Sequence, residues 1–257
     1  MIFTVNIANS HITLGCVEKE EVLFLERIFA DTRKTELEYS VDIMNAFRIH
    51  RIDRSLVSGS IISCVVPVLQ PVFTAAVERL FSITPVIVSA GMQKILTFKT
   101  DRPSEIGPNL IVQAAASSTF YGCPTIVADL STATTISAVD ENHMFIGASI
   151  LPGIQTSITA LLGQAAQLSA FHFEESAITA IGRTTEQSLA GGAVYGHAGM
   201  IDGILDRMEK ELGKTPVFVA TGRLAKILIP YCRHDIIVDE DLTVRGLALL
   251  YTERRLA

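Results

Sequence analysis

Several common features are missing from this sequence, and each absence excludes a class of protein. The 257 residues include no tryptophan, only 19% are charged, and the 21 basic residues do not cluster. With a net charge of -6, the chain is not expected to bind nucleic acid or an anionic membrane surface, because both attract clustered Lys and Arg. No apolar run approaches the roughly 18 residues of a membrane-spanning helix.

Disulfide, metal and common nucleotide-binding motifs are also missing. The four cysteines form no CxxC pair and the six histidines show no ligand spacing. We interpret the cysteines as free thiols and the histidines as structural or surface residues. Neither GxxxxGK[ST] nor GxGxxG occurs, so P-loop and Rossmann folds have no support. The N-terminal residues lack the basic start and apolar core of a signal peptide, and a cytoplasmic location is expected.

The chain does contain a large apolar fraction, 49% of its residues, arranged with strand and helix periodicities that predict an α/β fold. In the helix predicted over 34–49, Leu37, Val41, Ile43, Met44 and Phe47 are expected on one side. Strands are predicted over residues 1–8, 11–17, 21–29, 58–66, 84–88, 125–130, 134–139, 144–151, 217–220 and 235–238. Helices are predicted over 34–49, 69–82, 108–119, 154–168, 185–212, 223–229 and from 241 onward.

The order of elements repeats along the chain. Residues 5–10 can be laid over residues 128–133 at an offset of about 123 positions. In each copy a strand ends with a polar residue, followed by small residues and hydroxyls or amides. Duplicated β-β-β-α units with two facing hairpin loops would suit a nucleotide phosphate chain held between two lobes. A chance likeness between two small polar turns is the competing explanation.

The two hairpins and one later glycine supply candidate binding residues. Phosphate binds to backbone N–H groups beside small residues and to hydroxyl or amide donors, and Asn9, Ser10 and Thr132 occupy such positions. Asp129 would add a carboxylate oxygen for a cation. Gly222 follows a predicted strand, where a glycine can let a base or ribose lie against the backbone. Hydroxyl-rich turns are common, so this signal alone is weak.

Taken in order, the motifs of this chain resemble those of the type III pantothenate kinases, which belong to the acetate-kinase, actin and Hsp70-like superfamily. The family motifs are DxGNT, PxxxGADR, DxGTATT, GGxIxPG, GxxT, TGG and LTxxGL. The corresponding segments here are residues 6–10, 103–110, 129–135, 147–153, 182–185, 221–223 and 242–247. Because the match runs nearly from end to end, the set is specific.

The resemblance implies a duplicated ribonuclease-H-like (actin-like ATPase) fold, in which each domain is a mixed sheet flanked by helices. Residues 1–120 would form a lobe with the first phosphate loop, and residues 121–257 a lobe with the second loop and dimerisation helices. The family phosphorylates pantothenate with ATP in coenzyme A biosynthesis, acts as a dimer, and uses a divalent cation (Mg²⁺) and a monovalent cation (K⁺ or ammonium). By resemblance, the ATP-binding positions are Asn6, Asn9, Ser10, Thr132 and Gly222, the pantothenate-binding positions are Gly107 and Thr185, and the monovalent cation position is Asp129.

Several catalytic positions depart from the family motifs. The first-loop Asp is Asn6, the proton-accepting Asp of GADR is Asn109, and the Arg that binds the substrate is Leu110. In isolation Asn109 would be an ordinary helix N-cap. In the place of the family's Asp it marks a missing general base, whose loss typically costs about 10²–10⁴ in rate.

Three hypotheses remain open at this point. The first is a catalytically impaired pantothenate kinase subunit that works in a heteromer with an intact paralogue; a homodimer and a heterodimer are both open as the assembly. Its motivation is that the substituted catalytic positions lie in the first half of the chain, while Asp129, Thr132 and Thr185 of the second half keep the family's residues. The second is a non-catalytic regulator that senses a nucleotide or pantothenate. The third is an active but divergent kinase that tolerates Asn6 and Asn109.

Overall fold

The computed structural model describes residues 1–165 and 178–256. The strands are β1 Ile2–Ile7, β2 His11–Glu18, β3 Glu21–Phe29, β4 Gly59–Cys64, β5 Val86–Ile87, β6 Thr97–Phe98, β7 Thr125–Leu130, β8 Ala133–Val139, β9 Met144–Pro152, β10 Val217–Thr221 and β11 Ile237–Val238. The α-helices are α1 Glu36–Ile49, α2 Gln70–Phe81, α3 Pro108–Phe120, α4 Ile154–Gln164, α5 Thr185–Leu212, α6 Ala225–Leu228 and α7 Leu242–Leu256. Every predicted strand and helix has a counterpart. The predicted helical residues 166–168 lie outside the described residues.

Read from its other edge, the second sheet repeats the strand order of the first and adds β6 at its edge, which confirms the duplication. The first sheet runs β3-β2-β1-β4-β5, and the second runs β11-β10-β7-β8-β9-β6. In the first sheet β1 is antiparallel to β2 and parallel to β4. In the second sheet β7 is antiparallel to β8 and parallel to β10. Each sheet is therefore mixed, with the hairpin of one repeat matching the hairpin of the other.

The contacts divide the chain into two compact units. The first contains Met1–Phe120, His143–Phe145 and Asp241–Ala257, and the second contains Tyr121–Asn142 and Ile146–Glu240. Helix α7 packs with the first unit because it contacts β1, β2 and β4. The division into lobes at residues 1–120 and 121–257 describes the two sequence repeats, and it stays a prediction.

The core of the first unit lies between one face of its sheet and helices α1 and α2. Phe3 of β1 packs against Phe47 of α1, with ring centroids 5.6 Å apart, and Tyr39 of α1 packs against Phe73 of α2 at 4.5 Å. The opposite face of the sheet meets α7. A side chain at Gly15 would lie 2.5 Å from Val244 Cγ1, so α7 approaches the backbone of β2 closely.

Helix α1 corrects one prediction. Its buried side consists of Tyr39, Ser40, Ile43, Ala46 and Phe47. Leu37, Val41 and Met44 are exposed instead of sharing that side with Ile43 and Phe47. The prediction was wrong because α1 carries two apolar stripes, and periodicity alone does not say which of them meets the sheet.

The core of the second unit lies between its sheet and helices α4, α5 and α6. Ile126, Ala128 and Leu130 of β7 point to this side, together with Ile136 and Ala138 of β8. Helix α5 contributes the buried side chains Val194, Ile201 and Leu205. Because successive side chains of a strand alternate between faces, Asp129 and Thr135 belong to the opposite face.

Three smaller findings complete the fold. Strand β6 was not predicted; it is two residues long and pairs with Met144 and Phe145 of β9. None of the four cysteines, all of them in the described part of the chain, forms a disulfide, and burial raises the pKa of the Cys16 thiol to about 11. Within the described ranges, no helix is both long enough and apolar enough to cross a membrane.

Candidate functional site

The first hairpin places Asn6 near the end of β1, opposite Thr13 of β2 and Ser63 of β4. The Oδ1 atom of Asn6 is buried and has no hydrogen-bond partner among the described residues. The hydroxyls of Thr4 and Ser63 are also buried without a hydrogen-bond partner among the described residues. Strand alternation puts all three side chains on one face of the sheet. The position of the family's first-loop Asp therefore shares its sheet face with two neutral hydroxyls.

The tip of this hairpin is a tight turn. The Ala8 N–H donates to the His11 carbonyl at 3.0 Å, and the Ser10 carbonyl accepts from the Ala30 N–H at 3.0 Å. Asn9 is exposed and Ser10 is half-buried. The turn thus presents an amide and a hydroxyl at the positions predicted to contact phosphate.

The degenerate middle motif forms the start of α3. The helix begins at Pro108, and the Gly107 carbonyl accepts from the Leu110 and Ile111 N–H groups at 2.9 and 3.3 Å. Gly107 is therefore at the cap position. The sequence-based interpretation of Asn109 as an N-cap is wrong, because Asn109 is already the second helical residue.

The side chains of this first helical turn point in different directions. Asn109 Oδ1 lies 2.9 Å from the place that a Cβ on Gly107 would occupy, so the amide covers the glycine. Leu110 is only 9% exposed and belongs to the core. An Arg at position 110 would place a charged side chain at this buried position.

The second hairpin keeps its carboxylate. Asp129 lies one residue before the end of β7 and is 8% exposed. It is paired with Thr135 of β8 and Thr221 of β10. The hydroxyl of Thr135 is buried with no partner in the described part of the chain. A buried carboxylate beside a hydroxyl without a partner is a suitable donor set for a hard cation or a water molecule.

Gly222 lies directly against this carboxylate. Its φ is +91°, and a Cβ at this position would lie 2.7 Å from both Asp129 Oδ1 and the Leu130 carbonyl oxygen. The turn between β10 and α6 therefore requires glycine for two reasons, the left-handed backbone and the lack of space. The structure brings together two predicted site residues, Asp129 and Gly222, that are far apart in the sequence.

The loop around Thr132 is held by the start of α4. The Thr132 carbonyl accepts from the Gly153 N–H at 3.1 Å and from the Thr156 hydroxyl at 2.7 Å. A Cβ on Gly153 would lie 2.3 Å from the Ser131 carbonyl oxygen. The Thr132 side chain is exposed, while the backbone of the loop is fixed by these two hydrogen bonds.

Thr185 is the first residue of α5, as predicted. The preceding Thr184 is the N-cap, and its hydroxyl accepts from the Gln187 N–H at 3.2 Å. The Gln187 side chain accepts in turn from the backbone N–H of Arg183, the residue before the cap, at 3.0 Å. Thr185 is exposed at a well-defined helix start.

A buried carboxylate fixes the middle of α5. Asp202 is 2% exposed and accepts from the His234 ring Nδ1 at 2.8 Å and from the Arg233 backbone N–H at 3.0 Å. Burial alone would raise the pKa of Asp202, but these hydrogen bonds outweigh it and the pKa is lowered. Burial of the Cys232 thiol, together with the negative charge of Asp202, raises the pKa of Cys232 to about 12. This cluster joins α5 to the segment that precedes β11.

Sequence reasoning missed two features of these units. The buried hydroxyls of Thr4 and Ser63 gave no signal, because both residues are ordinary in strands. His197 of α5 is buried beside Ser157 of α4, with 3.5 Å between ring Nε2 and the hydroxyl. A lone histidine in a helix carries no spacing signal, so only the structure could identify its surroundings.

Comparison with known proteins agrees with the motif order. A family model described as type III pantothenate kinase matches residues 2–207. The type III pantothenate kinase of Listeria monocytogenes is 37% identical over 255 residues, which cover 99% of this chain and 98% of that protein.

Solved structures show the fold. A Baf family transcriptional activator from Campylobacter jejuni has a TM-score of 0.59 at 18% identity, covering 99% of this chain and 100% of that chain. A ROK family glucokinase from Streptomyces griseus in complex with glucose and AMPPNP has a TM-score of 0.56 at 13% identity, with the same coverage. These likenesses confirm the predicted actin-like fold. The chain belongs to the type III pantothenate kinase family.

Proposed function

We propose that this chain is a pantothenate kinase subunit of coenzyme A biosynthesis that is impaired in its own site and works in a heteromer with an intact paralogue. The observation that carries the proposal is the first turn of α3. There an amide, Asn109, occupies the position of the family's general base, and a core side chain, Leu110, occupies the position of the substrate-binding Arg.

The chemistry of the reaction explains why this turn matters. ATP-dependent phosphorylation of pantothenate needs a group that accepts the proton of the attacking hydroxyl, and the amide of Asn109 cannot accept one. Phosphoryl transfer otherwise depends on positioning and charge neutralisation. Leu110 offers no cation to hold the pantothenate carboxylate, as a bidentate Arg would. Both losses act on the same step.

The cations that the family uses fit the two units differently. Asp129, with the Thr135 hydroxyl beside it, can serve a monovalent cation such as K⁺ or ammonium. Asn6 offers only a neutral oxygen, on the same sheet face as the neutral Thr4 and Ser63 hydroxyls, and Mg²⁺ sites are usually built with one or two carboxylates. A bound divalent cation would neutralise charge on the ATP phosphates, and Asn6 would place it less well than the family's Asp.

The proposal that a partner is needed rests on the uneven distribution of the losses. The second unit keeps Asp129, the crowded Gly222 and the fixed Thr132 loop, and it keeps Thr185 at a capped helix start. A subunit that had lost its function entirely would not be expected to retain these features selectively. An intact paralogue could supply the general base while this chain supplies the second-unit positions.

Co-expression tests the heteromer. This chain and a GADR-containing paralogue from the same source are expressed together, and turnover and co-purification are measured. We expect a stable complex whose activity falls by at least tenfold when Thr185→Val is introduced into this chain. A matched change, Thr184→Ser, keeps the capping hydroxyl and should leave activity unchanged. The heteromer would be rejected if the two chains did not co-purify, or if Thr185→Val left the activity of the complex unchanged.

A regulatory role is the second candidate, and the preserved Asp129 and Gly222 geometry favours it because ligand binding does not need the general base. Calorimetry with ATP and with pantothenate distinguishes the two roles. Ligand binding by this chain, without any effect on a paralogue's turnover, would favour the regulator.

A further inference from the structure

A cavity lies in the first unit where strands β1 and β4 begin, at the opposite edge of the sheet from the first hairpin. Its volume is about 400 Å³, within the range of small-molecule pockets. Strand β1 carries Ile2 at the cavity and Asn6 near its other end, and four residue steps along a strand span about 13 Å. The cavity is therefore distinct from the predicted phosphate loop. Its lining includes Ile2, Val17, Lys19, Ser58, Tyr251 and Arg255.

Tyr251 of α7 forms a fixed wall of this cavity. Its ring carbon Cζ and its hydroxyl oxygen occupy the space that a Cβ on Gly59 would need. The ring therefore packs directly against the backbone of β4. The Arg255 guanidinium lies over the same ring, 5.9 Å from its centre, a contact that attracts a cation to the ring face. One positive charge is thus held at the cavity by a side chain that cannot move away.

The turn between β2 and β3 holds Lys19 beside the cavity in a strained conformation. Lys19 and Glu20 connect the paired residues Glu18 and Glu21, and their φ angles are +46° and +72°. A two-residue turn with positive φ at both positions favours Asn-Gly, because a side chain such as that of lysine is strained there. The chain therefore keeps a lysine where asparagine or glycine would be more stable. Strain of this kind clusters at functional sites.

The charges of the lining favour an anion. Lys19 and Arg255 both line the cavity, and neither has an ion-pair partner among the described residues. Glu18 is the single acidic residue that lines it in the described part of the chain, so the cations outnumber it. The Tyr251 hydroxyl, which has no hydrogen-bond partner within the described ranges, is a further donor. Ammonium and guanidinium groups are strong donors to phosphate oxygens.

We propose that this cavity binds a small phosphate monoester, with its head at Lys19 and Arg255 and its organic body against Ile2, Val17 and the Tyr251 ring. Near neutral pH a monoester carries close to two negative charges and three acceptor oxygens, which match two cations and one hydroxyl donor. A volume of about 400 Å³ leaves room for the organic body as well. The site is separate from the proposed pantothenate kinase function, because none of its residues takes part in that function.

Three small probes test the ligand class on the full chain by calorimetry. Glycerol phosphate carries the proposed head, glycerol lacks it, and succinate carries two negative charges on separate carboxylates. We expect saturable binding of glycerol phosphate and at least tenfold weaker binding of the other two. The proposal is overturned if glycerol or succinate binds as strongly as glycerol phosphate, or if no probe binds.

Methyl NMR shows where the probe binds. Ile2 and Val17 line the cavity, whereas Ile7 ends β1 beside the first hairpin. Glycerol phosphate should shift the methyl signals of Ile2 and Val17 and leave those of Ile7 in place. Shifts at Ile7 without shifts at Ile2 and Val17 would put the phosphate at the hairpin, and the proposal would be wrong.

Charge variants test the residues that hold the head. Arg255→Gln should weaken binding of glycerol phosphate at least tenfold. Arg254→Gln is the matched control, because Arg254 is the adjacent exposed arginine and does not line the cavity. Glu18→Gln should strengthen binding, since it removes the opposing charge. Equal losses for the two arginine variants would reduce the effect to overall charge and contradict the proposal.

Lys19→Asn separates binding from folding. Asparagine tolerates positive φ better than lysine, so the melting temperature should stay the same or rise. Binding of glycerol phosphate should nevertheless weaken at least tenfold, because the ammonium is gone. A lysine with a purely structural role would give the opposite pattern, a lower melting temperature or unchanged binding, and either result would overturn the assignment of Lys19.

Discussion

The replacement Gly222→Ala tests whether the turn beside Asp129 is held by crowding or only by its backbone angle. At φ +91° any L-residue is strained, which costs about 1–2 kcal/mol. The added methyl would also meet Asp129 Oδ1 and the Leu130 carbonyl oxygen, each at 2.7 Å. Overpacking of this kind typically costs a further 1–3 kcal/mol or so. Together the free energy of unfolding should fall by about 2–5 kcal/mol.

Gly213→Ala is the control for this prediction. Gly213 ends α5 with φ +70°, and a Cβ there would meet no described atom within 4 Å. The control therefore carries the backbone strain without the crowding, and its cost should be only about 1–2 kcal/mol. Urea unfolding and calorimetry measure both variants against the parent chain. Equal losses for Gly222→Ala and Gly213→Ala would refute the reasoning, because crowding at Asp129 would then contribute nothing.

Three further changes have defined outcomes. Asn6→Asp should lower stability at pH 7 by about 1–3 kcal/mol, since the buried oxygen has no hydrogen-bond partner among the described residues, and acid titration should reduce the loss. Leu110→Arg should cost at least about 2 kcal/mol in thermal unfolding, because the side chain is 9% exposed. Asp202→Asn should cost about 1–3 kcal/mol near neutral pH. The lowered pKa of Asp202 means that its contribution is present above about pH 4 and disappears as pH falls through that pKa, so unfolding curves of parent and variant should converge in acid.

Much of the fold could be predicted from the sequence because its signals are local. Strands β7 and β8 carry β-branched runs, and α5 has a threonine cap at one end and Gly213 at the other. The repeat of polar hairpin turns also predicted the duplication. Two-residue strands such as β6 could not be predicted, because such short pairings are set by the neighbouring strand and not by their own residues.

The candidate site was predictable in its residue types but not in its geometry. Motif order assigned Asp129 and Gly222 to one site, and the structure shows the contact between them. The sequence could not show that Leu110 is a core residue, because an apolar residue at a helix start can face either way. The same limit explains the misassigned cap at Asn109, where the preceding proline already begins the helix.

The most direct test of impairment is ATP- and pantothenate-dependent turnover of the purified chain alone, compared with a triple variant carrying Asn6→Asp, Asn109→Asp and Leu110→Arg. Unfolding curves of both proteins, measured in parallel, separate lost activity from lost folding. We predict turnover at least about 10²-fold below that of an intact family member for the chain alone, and a measurable rise in the folded variant. Robust turnover of the unmodified chain would contradict the account.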